Sequence, residues 1–253
     1  MLSGGLRTKG IIKQSQENKP LITIITVVRN GEKTLDQTIL SVINQTYENV
    51  EYIIIDGAST DSTLDIIRKY ESKIDYWISE PDKGIYDAMN KGIRFATGDF
   101  IALLNSDDWY VLNTCEIIVN KINEVDADIY YGIVRVIDDK DNTLFIHGYT
   151  EKMLSKCMIA HPACFIKNII YKLYQYDTKY KAAADYDFMI RLKNNNYKFI
   201  FIEQIIANFR LGGVSDSKLG QIEANNIQWK YRLIGYIKYL LKGMYFYFFY
   251  KIT

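Results

Sequence analysis

Residues 21–56 read "LITIITVVRNGEKTLDQTILSVINQTYENVEYIIID", with an amphipathic segment between two apolar runs. The runs at 21–28 and 50–56 are rich in β-branched residues, which is typical of strands buried on both faces of a parallel sheet. Apolar residues recur between them at helical spacing, at Leu35, Ile39, Val42 and Ile43. Because parallel strands need a crossover connection, the stretch predicts one strand–helix–strand unit.

The same alternation continues to residue 105. Helical patterns lie at 59–70 and 83–98, and strand-like runs lie at 73–79 and 99–105. Beyond Tyr110 the pattern is mixed, with helices at 111–123 and 185–195 and short strands at 128–138 and 143–149. Strands that alternate with helices predict a doubly covered, mostly parallel α/β sheet.

Three regions divide the chain of 253 residues. Residues 1–19 are predicted to form a flexible arm, and residues 216–253 a separate helical tail. Residues 20–215 have the size of one large domain. We expect the half at 20–110 to bind a ligand at one edge of the sheet. The half at 111–215 is expected to complete that binding site.

Composition excludes some classes of protein. Lys and Arg number 31 against 30 for Asp and Glu, which gives no support to a nucleic-acid partner. The cysteines, Cys115, Cys157 and Cys164, form no close pair and suit buried thiols in a reducing compartment. No signal peptide or spanning stretch of roughly 18 apolar residues is present, so we expect a cytoplasmic protein, free or attached to the inner face of the membrane.

Polar residues follow each of the first four predicted strands. They are Arg29-Asn30-Gly31, Asp56-Gly57-Ala58-Ser59, Glu80-Pro81-Asp82-Lys83 and Asn105-Ser106-Asp107-Asp108. In open α/β sheets, ligands bind beyond the carboxyl ends of the strands. Such residues also serve as turn formers and helix caps, which is the alternative interpretation for each of them.

The acidic end of the run "FIALLNSDD" indicates a cation. The sequence has neither GxGxxG after the first strand nor GxxxxGK[ST], so dinucleotide and P-loop sites are disfavoured. Neighbouring carboxylates repel each other unless a positive charge lies between them. Mg²⁺ or Mn²⁺ would supply that charge and would bridge Asp107 to a substrate diphosphate.

Three segments carry a resemblance to a known family. They are "ITIITVVRNGEKTLDQTILSVINQTYENVEYIIIDGASTDST", "EPDKGIYDAMNKGIRFATGDFIALLNSDD" and "AADYDFMIRL". Together they resemble the inverting family 2 glycosyltransferases, and the resemblance runs from about residue 20 to 215. It implies a GT-A fold, which has a Rossmann-like, mostly parallel central sheet with helices on both faces. Residues 20–110 would then form the nucleotide-binding half and residues 111–215 the acceptor half.

The resemblance also implies roles for single residues. Nucleotide binding is implied for Thr26, Val28, Asn30, Asp56, Lys83, Asn105 and Ser106. Asp107 and Asp108 are implied to hold a divalent metal, although Asp108 also suits a helix cap. Two positions depart from the family pattern: Gly57 follows Asp56 where a second acid is common, and Asn105 begins the metal motif.

Asp185 is the candidate catalytic base. Inverting transfer needs one carboxylate to take the proton of the acceptor hydroxyl, and the transition state is oxocarbenium-like. Asp185 begins the predicted helix at 185–195 and follows three alanines that leave room for an acceptor. A helix-capping role predicts the same residue type.

Further features belong to the predicted acceptor and diphosphate side. His161, Asp187 and Arg210 are the candidate residues there, and Lys83 and Arg210 are the cations expected to neutralise phosphate. Alternatively, His161 is a core histidine and Asp187 a first-turn helix charge. The loop "FRLGGVSDS" at 209–217 is either a lid over the diphosphate or a plain turn.

The tail is aromatic and basic and has no acidic residue between 231 and 253. Such a segment suits an anionic membrane surface, and packing on its own domain or on a second copy in a homodimer is the alternative.

The sequence therefore predicts a metal-dependent glycosyltransferase that moves a sugar from a nucleotide-diphosphate donor to a glycan or lipid-linked acceptor, and the resemblance implies UDP as the nucleotide. The product would belong to a cell-surface polysaccharide. The alternatives are a catalytically silent nucleotide- or glycan-binding homologue and a sugar nucleotidyltransferase.

Overall fold

The computed structural model describes residues 1–213 and 217–248. Residues 214–216 and 249–253, which belong to the predicted loop and tail, lie outside the described residues. In chain order the strands are β1 (Leu2–Gly4), β2 (Ile22–Val28), β3 (Val50–Asp56), β4 (Tyr76–Ser79), β5 (Phe100–Leu103), β6 (Trp109–Tyr110), β7 (Ile129–Ile137), β8 (Thr143–His147), β9 (Cys164–Lys167) and β10 (Phe199–Arg210). The α-helices are α1 (Leu35–Ile43), α2 (Thr63–Lys69), α3 (Ile85–Phe95), α4 (Thr114–Glu124), α5 (Asn168–Leu173), α6 (Ala184–Asn194), α7 (Lys218–Lys230) and α8 (Tyr236–Phe248).

The strands of the described ranges form one sheet in the order β1-β4-β3-β2-β5-β9-β7-β10-β6, with β8 paired to β7. Strands β4, β3, β2 and β5 are parallel, as predicted. Strand β9 runs antiparallel to both β5 and β7, whereas β10 runs parallel to β7. The α/β class with a mostly parallel central sheet is confirmed, and the mixed half begins at β9.

Both faces of the sheet are buried. On β2, Ile22 and Ile24 pack in one hydrophobic cluster with Leu35 and Ile39 of α1. Ile25, the next residue of β2, packs on the opposite face in a second cluster, which includes α3 and α6. Side chains of a strand alternate between faces, so an uninterrupted apolar strand requires helices on both sides.

The N-terminal segment is not the flexible arm that the sequence predicts. Strand β1 pairs antiparallel with β4. The Arg7 guanidinium forms an ion pair with Glu51, whose carboxylate is buried in the sheet. Lys13 forms a second ion pair, of 2.9 Å, with the buried Asp75. A buried carboxylate is costly unless a cation accompanies it, and the N-terminal segment supplies both cations.

The sequence pattern does not reveal β10, which is twelve residues long. Its pairing with β7 is irregular between Phe201 and Ile205, where Glu203 and Gln204 interrupt the apolar alternation. The irregularity lets the strand continue past two polar residues. As a result, Arg210 stands at the end of a strand and not in a loop.

Candidate functional site

A cavity of about 650 Å³ lies beyond the carboxyl ends of β2 and β5. It brings together seven of the residues that the sequence singles out, namely Val28, Asn30, Asn105, Ser106, Asp107, His161 and Asp185. Residues of the second half, including Val134 of β7 and Phe209 of β10, form the opposite wall. Both halves of the predicted domain therefore contribute to one site.

Six other predicted residues do not line this cavity. They are Thr26, Asp56, Lys83, Asp108, Asp187 and Arg210. Thr26 is fully buried, and its hydroxyl lies 3.1 Å from the Tyr52 hydroxyl. Lys83 is exposed next to Asp82 and Gly84, which do line the cavity.

The Asp56 carboxylate is occupied by hydroxyl donors. Ser79 donates a hydrogen bond of 2.6 Å to it, and the Ser59 hydroxyl and backbone N–H donate as well. The Ser59 Oγ also accepts from the backbone N–H of Asn30 at 2.8 Å. Asp56 thus joins the loop after β3 to the loop after β2. It contacts the cavity-lining Asn30 indirectly, through Ser59.

The surroundings of Gly57 leave no room for the second acid that is common at this position in the family pattern. A Cβ atom at this position would lie 2.3 Å from a carboxylate oxygen of Asp82, so a side chain there would displace Asp82. The other Asp82 oxygen accepts from the backbone N–H of Gly84 at 2.8 Å. Asp82, one of the strand-end residues of the sequence analysis, therefore occupies the space that a side chain after Asp56 would need.

Asn105 and Asp107 present oxygen atoms suited to a cation. Within the described residues, the Asn105 Oδ1 is buried and has no hydrogen-bond partner. Burial raises the pKa of Asp107, and the positive charge of Arg210 lowers it in part. A half-buried carboxylate two residues from an unpartnered amide oxygen fits Mg²⁺ or Mn²⁺, which bind through one or two carboxylates plus substrate phosphates.

Asp108 does not share this position. It is fully buried, and one carboxylate oxygen accepts from the backbone N–H of Arg210 at 3.0 Å. Burial and the neighbouring Asp107 raise the pKa of Asp108 well above its usual range. One Asp108 oxygen thus joins β10 to the turn after β5, whereas Oδ2 is buried and has no hydrogen-bond partner among the described residues, so the predicted metal role of Asp108 stays a prediction.

The Asp185 carboxylate lies on the cavity wall in the first turn of α6. The Tyr86 hydroxyl of α3 donates a hydrogen bond of 3.0 Å to it. Burial and the Asp185 charge raise the pKa of Tyr86 well above its usual range, so Tyr86 remains a hydrogen-bond donor. Tyr86 fixes one carboxylate oxygen in place, and no sequence signal marks this pairing across 99 residues.

Glu223 of α7 holds the backbone that precedes Asp185. Its carboxylate accepts from the backbone N–H groups of Lys181, Ala182 and Ala183 at 2.9 to 3.1 Å. These N–H groups lie just before α6, where the helix itself offers them no acceptor. Without Glu223 they would have to donate to water. Glu223 is thus a positioning residue for Asp185, and it lies in the segment that the sequence predicts to be a separate tail.

We expect Glu223→Ala to displace Asp185, the predicted base, and so to lower turnover roughly 10- to 100-fold, because a small displacement is enough for such a loss. Nucleotide binding should not change, since Glu223 does not line the large cavity. Glu223→Gln keeps one acceptor oxygen, so its turnover should lie between those of wild type and Glu223→Ala. Steady-state kinetics and a nucleotide titration measure the two quantities, and equal losses in both would contradict a positioning role.

His161 lines the cavity and is only 8% exposed. Burial lowers its pKa, whereas the charge of Asp185 raises the pKa in part. Its Nε2 has no hydrogen-bond partner in the described part of the chain. A neutral imidazole with a free nitrogen can exchange a hydrogen bond with a bound ligand.

Arg210 and Asp187 are both engaged away from the cavity. The Arg210 guanidinium pairs with Asp141 at 2.8 Å and lies over the Trp109 ring. Asp187 is 1% exposed and forms ion pairs with Lys230 (2.7 Å) and Arg191 (2.9 Å). Neither side chain lines the cavity, because Arg210 secures the turn between β7 and β8 and Asp187 joins α6 to α7. The Arg210 charge still acts on Asp107, and the predicted roles of both residues on the acceptor and diphosphate side stay predictions.

A family model provides the decisive comparison. The model described as "Glycosyl transferase family 2" matches residues 23–192. The chain belongs to glycosyl transferase family 2. The match covers all the strand ends of the parallel half and also Asp185.

Characterised and uncharacterised relatives agree with this membership. A glycosyltransferase of Methanocaldococcus jannaschii, described as uncharacterized, is 30% identical over 85% of this chain and 79% of its own. A "PGL/p-HBAD biosynthesis glycosyltransferase" of Mycobacterium bovis is 30% identical over 78% of this chain and 80% of its own.

Solved structures show the same fold. S. aureus TarS, in complex with UDP-GlcNAc, superposes with a TM-score of 0.69 at 17% identity, over 88% of this chain and 69% of the other. The mannosyltransferase PcManGT from Pyrobaculum calidifontis, in complex with GDP-Man and Mn²⁺, superposes with a TM-score of 0.63 at 15% identity, over 94% and 73%. The predicted GT-A architecture of this glycosyltransferase is thereby confirmed.

The cations of this glycosyltransferase cavity differ from the predicted ones. Arg29 and Lys181 line it, whereas Lys83 and Arg210 do not. Arg29 directly follows β2, so its place at a strand end is a signal that the sequence offered. Lys181 reaches the cavity because Glu223 holds its backbone, and no local pattern indicates that contact.

Proposed function

We propose that this glycosyltransferase transfers a sugar from a UDP-sugar to a hydroxyl of a glycan or lipid-linked glycan, with inversion and with a divalent metal, in cell-surface polysaccharide synthesis. One observation carries the proposal. Asp107, beside an unpartnered Asn105 oxygen, and Asp185, oriented by Tyr86, face the same cavity. One carboxylate suits the diphosphate of a donor and the other suits the hydroxyl of an acceptor.

The residues of the chain divide the work of an inverting transfer. Asp185 accepts the proton of the acceptor hydroxyl while that oxygen bonds to the anomeric carbon, and the bond from this carbon to the diphosphate breaks with its electron pair on the leaving group. The Tyr86 hydroxyl keeps the carboxylate directed at the acceptor. Arg29 and Lys181 supply positive charge to the leaving diphosphate.

Asp107 and Asn105 are the residues that would hold a divalent metal. Such an ion, when bound, supplies charge stabilisation to the departing diphosphate. The set is small, and no group of three or more His, Cys, Asp or Glu residues suited to a metal occurs in the described ranges. It therefore suits an ion that is held jointly by the protein and by substrate phosphates.

UDP is the proposed nucleotide. TarS is described in complex with UDP-GlcNAc, and PcManGT in complex with GDP-Man. Both solved structures are less than 20% identical to this chain. Their support for a nucleotide-diphosphate donor is therefore stronger than their support for UDP over GDP. Calorimetric titration with UDP, GDP and CMP, each with Mn²⁺ and again with excess chelator, tests the proposal. We expect metal-dependent binding of UDP, and absence of binding for all three would contradict it.

The exposed apolar residues of helix α8 support the proposal that the acceptor lies at a membrane surface. Ile237, Leu240, Leu241 and Met244 follow helical spacing, and all are exposed. The segment 229–248 contains four Lys or Arg residues and no acid. Among the described residues, no helix combines the length and apolar character that a membrane crossing requires. We therefore propose that these apolar residues, together with the exposed Arg232 and Lys238, lie against the inner face of an anionic membrane.

Sedimentation with anionic liposomes checks this contact. The full chain should sediment, whereas a chain ending at residue 230 and the variant Leu241→Asp should remain in the supernatant. Leu173→Asp, at an equally exposed leucine of α5, is the matched control and should sediment like wild type. Higher salt should weaken binding, because exposed charges are screened. Equal sedimentation of all four proteins would contradict the membrane contact and would favour packing on the domain or on a second copy.

A further inference from the structure

A second, smaller cavity of about 250 Å³ lies between α6, α7 and α8. Asp185, Ala182 and Met158 line both cavities. Asp185 is thus the carboxylate at which the two cavities meet. The large cavity contains the residues suited to a nucleotide donor, so the smaller one approaches the same carboxylate from another side.

The wall of the smaller cavity carries hydrogen-bonding groups. The Gln228 amide donates to the Tyr186 hydroxyl at 3.1 Å, and its oxygen accepts from Lys242 at 2.9 Å. Asn225 is 4% exposed, and its Oδ1 has no partner in the described part of the chain. Buried amide oxygens are nearly always hydrogen-bonded, so this one indicates a hydroxyl or amine of a ligand.

The charge of the smaller cavity is positive apart from Asp185. Lys156 and Lys242 line it, and Asp185 is the single acid among its lining residues in the described ranges. Burial, together with the neighbouring Lys238, lowers the pKa of Lys242, which indicates an ammonium group short of compensating charge. An anionic group on the ligand would provide that charge.

Helix α8 connects the cavity with the proposed membrane surface. Its inward residues Lys242 and Phe246 line the cavity, and Tyr239 accepts from Asn225 through its backbone oxygen at 3.1 Å. The exposed apolar stripe lies on another face of the same helix. A ligand in this cavity would therefore contact the same helix that carries the stripe.

We propose that the smaller cavity is the acceptor subsite, and that it takes a sugar hydroxyl of a phosphate-linked glycan. The proposal rests on the proposed function for the step at Asp185. The acceptor hydroxyl gives its proton to the Asp185 carboxylate, its oxygen bonds to the anomeric carbon of the donor, and the nucleoside diphosphate leaves with the electron pair of the broken bond. The unpartnered Asn225 oxygen accepts from a sugar hydroxyl, Lys242 binds the phosphate, and Gln228 holds Lys242 in place.

Cys157 provides a probe of occupancy. It lines the smaller cavity and is half-buried, whereas Cys115 and Cys164 are buried. The rate of its alkylation by iodoacetamide, followed by mass spectrometry of the peptide, is measured with three compounds at millimolar concentration: octyl glucosyl phosphate, glucose 1-phosphate and the neutral octyl glucoside. We expect both phosphate compounds to slow alkylation several-fold and the neutral compound to have little effect.

Two variants make the test specific. Lys242→Met should abolish protection by the phosphate compounds. Ala224→Trp should fill the cavity and slow alkylation without any compound, whereas Leu219→Trp, at an exposed position of the same helix, should behave like wild type. Thermal melting confirms that each variant is folded.

The outcomes are separable from those of the proposed function, because no nucleotide is present in this assay. Lack of protection by both phosphate compounds, or protection that persists in Lys242→Met, would overturn the proposal. Stronger protection by the octyl compound supports a lipid carrier, and equal protection supports a phosphate-bearing glycan without a lipid. Either of these two results supports the acceptor subsite.

Discussion

Asp185→Asn should lower the turnover of sugar transfer by on the order of 10²- to 10⁴-fold, which is the usual contribution of a general base. The amide keeps the size of the side chain and can still accept from Tyr86, but it cannot take up the proton of the acceptor hydroxyl. Nucleotide binding should remain close to that of wild type. Turnover is measured as nucleoside diphosphate release that depends on acceptor.

Two controls separate catalysis from folding. Asp126→Asn changes a carboxylate whose side chain is 91% exposed, and it should leave turnover unchanged. Tyr86→Phe removes the hydrogen bond but not the base, so we expect a smaller loss than in Asp185→Asn. Near wild-type turnover of Asp185→Asn would exclude Asp185 as the base and would leave it as a helix-capping charge.

Asp107→Ala should weaken Mn²⁺-dependent binding of UDP by on the order of 10²-fold, because even outer partners of metal ligands are worth 10- to 100-fold in affinity. Binding in the presence of excess chelator, which is weak already, should change little. The difference between the two conditions is the informative quantity, since it isolates the contribution of the ion. Calorimetric titration of both proteins measures it.

Asp82→Asn is the matched comparison for Asp107→Ala. Asp82 lines the same cavity, but it lies beside Gly57 at the end of β4 and binds the backbone N–H of Gly84. We expect its loss to weaken UDP binding equally with and without Mn²⁺. If Asp82→Asn weakened only the Mn²⁺-dependent binding of UDP and Asp107→Ala did not, the ion would be assigned to the loop after β4 and not to the loop after β5.

The parallel half of the fold and its strand-end residues follow from the sequence, because each depends on local order. An apolar strand, a capped helix and the next strand are contiguous, and their carboxyl ends meet at one edge of the sheet. Asn30, Asn105 and Asp107 were therefore predictable members of one site, whereas Asp185, in the first turn of α6, was placed there by the need for a base and by the family resemblance.

Contacts between distant segments were not predictable in this way. Asp108 and Arg210 are 102 residues apart, and their backbone-to-carboxyl bond exists because β10 ends beside the turn after β5. Asp187 resembles a first-turn helix charge in the sequence, and only α7 reveals its partner Lys230. Glu223 likewise acts on the residues before Asp185 from a segment without a recognised pattern.

Composition also misled at the N-terminus. Residues 1–19 are polar and contain little apolar periodicity, which is typical of a flexible arm. Their order depends on charge, since Arg7 and Lys13 pair with carboxylates buried under the sheet edge. A sequence pattern reports apolar periodicity, whereas these two contacts depend on where single charges meet in space.

The most direct test of the central claim is single-turnover cleavage of nucleotide-sugar donors by the wild-type protein. UDP-GlcNAc, UDP-glucose and GDP-mannose are each incubated with excess enzyme, with Mn²⁺ and with chelator, and the released nucleoside diphosphate is quantified. We predict slow, Mn²⁺-dependent release from at least one UDP-sugar, because water can replace the acceptor at Asp185. Binding of UDP without release from any donor would contradict transfer and would identify a catalytically silent homologue.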